Sequence, residues 1–365
     1  MPSKNRTVRS FFLGVYIFVV FIYVLTCLIP FLDPGKFWFV ALLGMGFPFL
    51  LGSVIFCAII AALKRSRWFF LSSAALLLSF QQIGAFFSFH FKNEFEPVPA
   101  ENSLRVLSWN VSSWTENNFA NNTADRTGLR NLMMDAVQMQ NADVLCFQEY
   151  FESFAPELYP SNIAVFTKMG YNYYYFTPTG GMYGGKIQSG LCIFSKFPIK
   201  DSLFHKTGHG NSEGMSMAAV EFNGKLIRIF NTHLESPRLK KQEYSPFEEP
   251  TESRTVLGKI KRAYALRSVQ ADTLRQFINA SNVPAIVCGD FNDVPNSYSY
   301  FKIKGNLQDA FLKKGSGIGR TFQFISPTLR IDFLLADKRF KVDQFAKLDY
   351  KYSDHYPQVM DVSFK

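Results

Sequence analysis

Six short polar stretches, in fixed order along the chain, carry side chains suited to one kind of chemistry. They are Ser108-Trp109-Asn110, Phe147-Gln148-Glu149, Asn231-Thr232-His233, Gly289-Asp290-Phe291-Asn292, Arg330-Ile331-Asp332 and Ser353-Asp354-His355. Each sits at the end of an apolar, β-branched run, where a strand would release a side chain into a cleft. Hydrolysis of a phosphate ester with a divalent metal needs hard oxygen donors for the cation, an imidazole that titrates near neutrality, and N–H donors for the phosphate oxygens. Carboxylates, carboxamides and two histidines supply that set. Taken singly, each stretch has a plain structural explanation: Glu149 as a solvated turn, Asn292 as a turn former, His233 as a hydrogen-bonded core histidine. Their joint order is what carries the chemistry.

The elements that must position these groups are short. From Leu104 onward, apolar runs broken by turns predict strands at 104–109, 143–147, 190–194, 217–222, 226–231, 285–288, 331–335 and 359–364. Amphipathic helices are expected near 130–140 and 263–280, the second with Leu266, Val269, Leu274, Phe277 and Ile278 on one side. Many strands with few long helices imply two packed sheets with helices outside, an α/β arrangement. Residues 237–262 are charged and proline-containing and read as an excursion beside the cleft, while His205 and His209 read as loop residues.

The front of the chain is of another kind. Three apolar stretches, Phe11 to Leu32, Phe37 to Leu63 and Trp68 to about Phe91, are each long enough to cross a hydrocarbon core of about 30 Å. Phe37, Trp38, Trp68 and Phe69 lie at their ends, as rings at headgroup level do. Gln81 and Gln82 make the third run the least apolar. Lys4, Arg6 and Arg9 precede the first run, and Lys64, Arg65 and Arg67 separate the second from the third. The positive-inside bias therefore places both groups in the cytoplasm, and three spans put the rest of the chain on the outer face, periplasmic or luminal. The expected organisation is a three-helix membrane anchor at 1–91, a linker at 92–103 and a catalytic domain at 104–365, acting as a monomer.

Composition narrows the field further. Hydrophobic residues make up 48% of the 365, and Phe alone numbers 40. Through residue 100 there are 8 Lys/Arg against 3 Asp/Glu, which leaves half of the net charge of +10 to the remainder. A mildly basic domain suits an anionic substrate without choosing one. The five cysteines do not form a disulfide framework, and Cys146, Cys192 and Cys288 read as small core residues in strands. The sequence has no Walker loop and no CxxC pair.

The ordered motifs resemble those of the endonuclease/exonuclease/phosphatase superfamily, whose members include DNase I, abasic-site endonucleases, neutral sphingomyelinases and inositol polyphosphate 5-phosphatases. The resemblance covers about residues 104–365 and implies a four-layered α/β sandwich, two mixed sheets flanked by helices, with the site at one end of the sheets. It also implies Mg²⁺ or Mn²⁺. Glu149 is the natural carboxylate ligand, supported by Asn110 and by Asp354 as a second metal-side carboxylate. His355, oriented by Asp332, is the candidate general base or phosphate-charge stabiliser. Asp290 positions the attacking water, Asn292 donates to a phosphate oxygen, and His233 contacts the phosphate or protonates the leaving oxygen. Abasic-site endonucleases carry an Asp two residues after the Asn; Ser112 stands there, which weakens a DNA-repair reading.

The function expected from sequence is thus membrane-anchored, metal-dependent hydrolysis of a phosphoester, foremost a phosphodiester on a lipid-linked substrate. A surface or periplasmic nuclease is the second reading, with Arg238, Lys240, Lys241, Lys259, Lys261 and Arg262 to grip phosphates against the acidic Glu248, Glu249 and Glu252. A non-catalytic binding module on the same fold is the third. Tyr171, Tyr173, Tyr174, Tyr175, Phe176 and Tyr183 are candidates for a lipid-facing edge or for a strand core.

Overall fold

The computed structural model describes residues 3–90, 95–115, 123–206, 213–238 and 253–365. The N-terminal part comprises helices α1 (Ser3–Leu25), α2 (Trp38–Leu63), α3 (Trp68–Leu78) and α4 (Phe80–Phe86), followed by strand β1 (Ser88–Phe89). The remainder runs β2 (Leu104–Asn110), α5 (Thr123–Met139), β3 (Val144–Ser153), α6 (Asn162–Lys168), β4 (Tyr173–Met182), β5 (Ile187–Ser195), β6 (Ile199–His205), β7 (Gly214–Phe222) and β8 (Lys225–His233). It continues through α7 (Ser253–Asn279), β9 (Ala285–Asp290), α8 (Tyr298–Lys304), β10 (Gln308–Asp309), α9 (Ala310–Lys314), β11 (Ser316–Gly317), β12 (Asp332–Ala336), β13 (Phe340–Lys347) and β14 (Gln358–Phe364).

Two six-stranded mixed sheets, ordered β10-β12-β9-β8-β7-β6 and β13-β14-β2-β3-β5-β4, lie face to face. Val106, Val144, Cys146 and Ile193 of one sheet meet Val220, Ile229, Ile286, Cys288 and Leu334 of the other. On the outer face of the second-named sheet, Leu107, Leu145 and Phe147 pack against Met133 and Val137 of α5 and Phe166 of α6. On the outer face of the first, Phe230, Val287 and Leu335 pack against Ala271, Leu274 and Ile278 of α7 and Tyr300 of α8. This is the four-layered α/β sandwich expected from sequence. The three strand cysteines are wholly buried, as expected of small core residues.

The N-terminal helices include two, Val8–Phe31 and Trp38–Leu63, long and apolar enough to cross a membrane. Over its 26 residues α2 rises about 39 Å, more than a bilayer core requires. The third run, apolar enough to count as a span when its two helices are taken together, is bent rather than straight. It breaks between α3 and α4 with a bend of 59°, and past Phe86 the chain becomes strand rather than helix. Polar side chains explain the break: Ser79 Oγ bonds back to Leu76 O at 2.9 Å, which bends helices. Ser79 also bonds Tyr23 of α1, and buried Gln82 donates to Cys27 O at 3.2 Å.

These helices are docked on the sandwich rather than held off it. β1 pairs antiparallel with β11, Asn296 Nδ2 donates to Thr26 O at 3.4 Å, and Arg330 Nη2 donates to Ala85 O at 2.7 Å. Part of the expected linker is seated too, because Arg105 donates to the carbonyls of Glu96 and Pro97 while forming a buried ion pair with Asp361 at 2.7 Å.

Other differences are local. His205 ends strand β6, its ring against Phe277 at 5.4 Å, instead of lying in a loop. His209 lies outside the described residues. Val269 is 63% exposed, and the buried residues of α7 include Arg267, Ser268 and Gln270 beside Ala263, Tyr264, Ala271, Leu274 and Ile278, instead of the purely apolar stripe expected. Of the aromatic group, Tyr171 is buried while Tyr173, Tyr174 and Tyr183 are exposed on and just after β4, an edge strand.

Candidate active site

Strand register builds the floor of the site. β8 and β9 are parallel with His233 opposite Asp290, and β9 and β12 are antiparallel with Asp290 opposite Asp332. Three titratable side chains thus lie in one row across adjacent strands. The row needs Gly289 beside it. That residue has φ of +136°, and a Cβ there would lie 1.9 Å from Thr232 O on the neighbouring strand. In the facing sheet, the parallel pair β2 and β3 brings Asn110 opposite Gln148.

Glu149 reaches the cleft by a different device. The ladder between β3 and β5 slips between Phe147 and Tyr150, and Glu149 there has φ of +49°. A β-bulge re-aims side chains beside active sites. Here it lets Gln148 turn inward while Glu149 remains 36% exposed at the cleft. Buried Gln148 donates to Asn231 Oδ1 at 2.6 Å, and Asn231 donates to Phe147 O at 2.9 Å and Cys192 O at 3.1 Å. Gln148 and Asn231 therefore stitch the two sheets together behind the site and do not face the cleft.

Asp290 Oδ2 is the hub. Asn110 Nδ2 lies 3.1 Å away and donates also to Glu149 Oε1 at 3.2 Å. His233 Nε2 lies 3.5 Å and His355 Nε2 3.6 Å from the same oxygen. The other oxygen, Oδ1, accepts from Asn292 N at 2.8 Å. Burial pushes the Asp290 carboxyl above its ordinary range, with His355 opposing the shift and Asp332 adding to it. Asn292 donates one amide N–H to Leu234 O at 2.9 Å, so one of its two is already committed.

His355 is held from several sides. Its Nδ1 lies 2.9 Å from Asp332 Oδ2 and 3.1 Å from Oδ1. Its carbonyl accepts from Trp109 Nε1 at 2.9 Å and its N–H bonds Ser353 Oγ, which itself donates to Asn110 O at 2.8 Å. The first and last motifs are thereby interlocked. The Phe322 ring packs on the imidazole at 5.0 Å. Burial pushes the His355 pKa down, but the Asp332 and Asp290 carboxylates outweigh it and hold the imidazolium well above the usual histidine range. After Asn110 the chain turns through Ser112, Ser113 and Trp114, all at positive φ, and buries Trp114 against Trp109 and Phe147. The position where abasic-site enzymes carry an Asp is thus a turn that seats a core tryptophan.

All eight residues singled out from sequence come together. Glu149, His233, Asp290, Asn292, Asp354 and His355 line one cleft of about 190 Å³. Asn110 and Asp332 stand directly behind Asp290 and His355. Four carboxylates share this space with two histidines, and a divalent cation is the charge such a donor set calls for. Among the described residues, one atom from each of Asp290, Asp332 and His355 lies within 4.8 Å of the others. Asp332 is already spent on Nδ1, so that trio is a hydrogen-bonded pair and an acceptor rather than a cation cage. The carboxylates open to an entering cation are those of Glu149 and Asp354.

The cleft contains groups that motif spacing does not reveal. Buried Arg267 of α7 lies 3.4 Å from Asp293 and donates to Glu235 O at 3.1 Å. Burial pushes the Asp293 carboxyl up, and the Arg267 guanidinium counters it. Beyond them the lining turns apolar, with Val294, Phe322, Ile325, Leu329, Ile331 and Met45 of α2. Only its spacing, four residues after Ala263 and four before Ala271, marks Arg267 in the sequence, and nothing marks Met45. Of the basic excursion, Arg238 forms an ion pair with Glu213 at 2.6 Å, while Lys240, Lys241, Glu248, Glu249 and Glu252 lie outside the described residues.

Comparison with known proteins agrees with this geometry. The sequence model of the endonuclease/exonuclease/phosphatase family matches residues 107–355, and that of a domain of unknown function matches residues 9–86. Sphingomyelin phosphodiesterase 2 of Mus musculus is 25% identical over 240 residues, which cover 60% of this chain and 50% of that protein. Its counterpart in Rattus norvegicus is 24% identical over the same length, with the same coverage. The chain therefore spans about half the length of the curated relatives it matches. The catalytic domain of human Nocturnin, solved with a bound sulfate anion, superposes with a TM-score of 0.54 at 20% identity, covering 73% of this chain and 97% of that one. An endonuclease/exonuclease/phosphatase from Beutenbergia cavernae gives 0.52 at 18% identity, covering 72% of each. At such identities these likenesses establish the fold.

Proposed function

The chain belongs to the endonuclease/exonuclease/phosphatase family, and on that premise we propose that it is a membrane-anchored, divalent-metal-dependent phosphodiesterase acting on a lipid-linked phosphodiester. Phosphoester hydrolysis is the activity of the family. The finer reading draws support from the sphingomyelin phosphodiesterases among its relatives and from the apolar helices packed on the domain. In this reading residues 1–91 are the anchor and 104–365 the catalytic domain. The basic residues at the start of α1 and after α2 remain cytoplasmic and the cleft faces the periplasm or a lumen.

The observation that carries the proposal is the convergence of Asn110, His233 and His355 on one buried carboxylate oxygen of Asp290, at 3.1, 3.5 and 3.6 Å. Glu149, with Asn110 and Asp354, would hold Mg²⁺ or Mn²⁺, which when bound offsets charge on the phosphoryl oxygens. Asp290, its carboxyl raised by burial, orients the attacking water and takes its proton. His355, held as imidazolium by Asp332, donates through Nε2 to a phosphoryl oxygen. As the new P–O bond forms opposite the leaving group, the ester P–O bond breaks and His233 gives a proton to the departing oxygen. Asn292 and Arg267 flank the phosphate and add donors to it.

The test is hydrolysis by the full chain in detergent or proteoliposomes, with Mg²⁺, of sphingomyelin, glycerophospholipids, a soluble nitrophenyl phosphodiester, plasmid DNA and RNA. A Glu149→Gln, His355→Ala double variant is the blank. Turnover of a phospholipid that the blank lacks is the expected result. Turnover of nucleic acid alone would overturn the lipid assignment. Of the basic residues the nuclease reading invokes, Arg238 is turned onto Glu213, while Lys259 and Arg262 line a depression beside the cleft.

A further inference from the structure

The polar cluster occupies one side of the cleft, and the opposite side is apolar. Val294, Leu329 and Ile331 form a small buried cluster to which Met45 and Phe322 add partly buried side chains. Met45 belongs to α2, a helix apolar and long enough to span a bilayer. The same Met45 lines the cleft that contains Glu149, Asp290 and His355. Its place is fixed by close backbone packing, because a Cβ on the neighbouring Gly44 would lie 2.3 Å from Asn296 O. The facing loop adds Ile325, 56% exposed at φ of +67°. A β-branched side chain rarely takes that conformation. The apolar lining of the cleft therefore extends from beside the polar cluster to Met45 of α2, a helix long and apolar enough to span a bilayer.

Size limits what the path holds. A cleft of about 190 Å³ falls below the roughly 300–1,000 Å³ of sites that enclose a whole small molecule. It accommodates a phosphate ester and the first part of an attached chain, and the rest must leave along a wall. Among the described lining residues, Met45 is the one contributed by a helix long and apolar enough to cross a membrane.

We propose that α2 is a substrate-binding element: the hydrocarbon nearest the scissile phosphate lies against Met45, Val294, Leu329 and Ile331, and its remainder passes along α2 into the bilayer. This rests on the reading that the substrate is lipid-linked, and it assigns to the anchor a part in choosing the substrate. The subsite takes an alkyl or acyl segment attached through the phosphate. Each methylene it buries strengthens binding by about fourfold, the equivalent of its transfer from water.

The experiment uses the full chain in detergent and a series of monomeric alkyl nitrophenyl phosphodiesters of increasing chain length, below their own micelle concentrations. In the wild type, kcat/KM rises with each added methylene until the wall is covered, then levels. Met45→Trp and, in the same apolar cluster, Leu329→Trp each lower the ratio of long-chain to short-chain kcat/KM at least tenfold. The second variant reads the same wall if the first does not fold. Wild-type turnover without chain-length dependence, or equal losses on long and short esters in both variants, would overturn the subsite and leave the phosphodiesterase assignment standing. No turnover of any phosphodiester by the wild type, short or long, would overturn that assignment and this inference with it.

Discussion

His355 Nδ1 sits 2.9 Å from Asp332 Oδ2, and that bond sets which nitrogen faces the cleft. With Nδ1–H committed to a carboxylate, Nε2 is the nitrogen turned toward Asp290 and toward any bound ester. Asp332 lies at the start of β12 and His355 just before β14. Gln358 Nε2 on Asp332 O at 2.9 Å and Trp109 Nε1 on His355 O fix them.

A pH profile follows from this pair. The folded pKa of His355 lies well above 6.5, so the imidazolium is favoured by folding. Its contribution is fully present below the unfolded value near 6.5 and is lost as pH rises through the raised folded value. Activity that depends on the imidazolium therefore falls on the alkaline side. In Asp332→Asn the limb moves to lower pH, and kcat at neutral pH drops by roughly 10²- to 10⁴-fold. A profile unmoved by that change would refute the role given to His355.

Chelation should abolish turnover, with Mg²⁺ or Mn²⁺ restoring it. Glu149→Gln should weaken Mn²⁺ binding at least roughly tenfold, read by titration calorimetry or electron paramagnetic resonance. Its effect on fold should be small because the side chain is 36% exposed. Unchanged Mn²⁺ affinity would move the cation away from the β3 bulge.

Gly289→Ala tests the strand row itself. The new methyl would meet Thr232 O at 1.9 Å and face a φ of +136°. Positive-φ strain and overpacking together cost about 3 kcal/mol or more. Thermal unfolding should shift down by several degrees, or the protein should fail to accumulate; a normal melting temperature would contradict the described register.

Arg330 supports the site from behind. It is buried, pairs with Asp309 at 2.8 Å, and is surrounded by the rings of Phe311, Phe333 and Tyr300. Arg330→Met leaves Asp309 without its cation and should destabilise by about 3–5 kcal/mol. Adding Asp309→Asn should recover part of that loss, since the uncompensated charge is then gone. A double variant no more stable than the single would show that the pairing is not the cause.

Much of the site was legible because its residues end strands, and strand ends in a sandwich converge at one edge. His233, Asp290 and Asp332 needed only correct pairing of β8, β9 and β12 to fall into a row. Glu149 was identifiable by type, but the bulge that turns it outward depends on a slipped ladder with β5, which no local pattern encodes. Arg267 escaped because helical periodicity counts apolar residues, and a charged residue on the buried stripe reads as noise. The break at Ser79 lay hidden for the opposite reason. Composition made the third run a span, and only the bonds of Ser79 and Gln82 to α1 and its extension reveal the bend. Met45 was one apolar residue among many, and its importance arises from docking.

The pairing of β1 with β11, the bond from Arg330 to Ala85 and that from Asn296 to Thr26 leave the domain no slack in its attachment. An enzyme on a loose tether sweeps a volume and samples the solution around it. On the proposed reading, in which these helices lie in a bilayer, one seated on them works in a plane, served by molecules that arrive through lateral diffusion. Its velocity should then follow the mole fraction of substrate in the membrane, so that diluting the substrate with inert lipid slows it while diluting the vesicles in buffer does not.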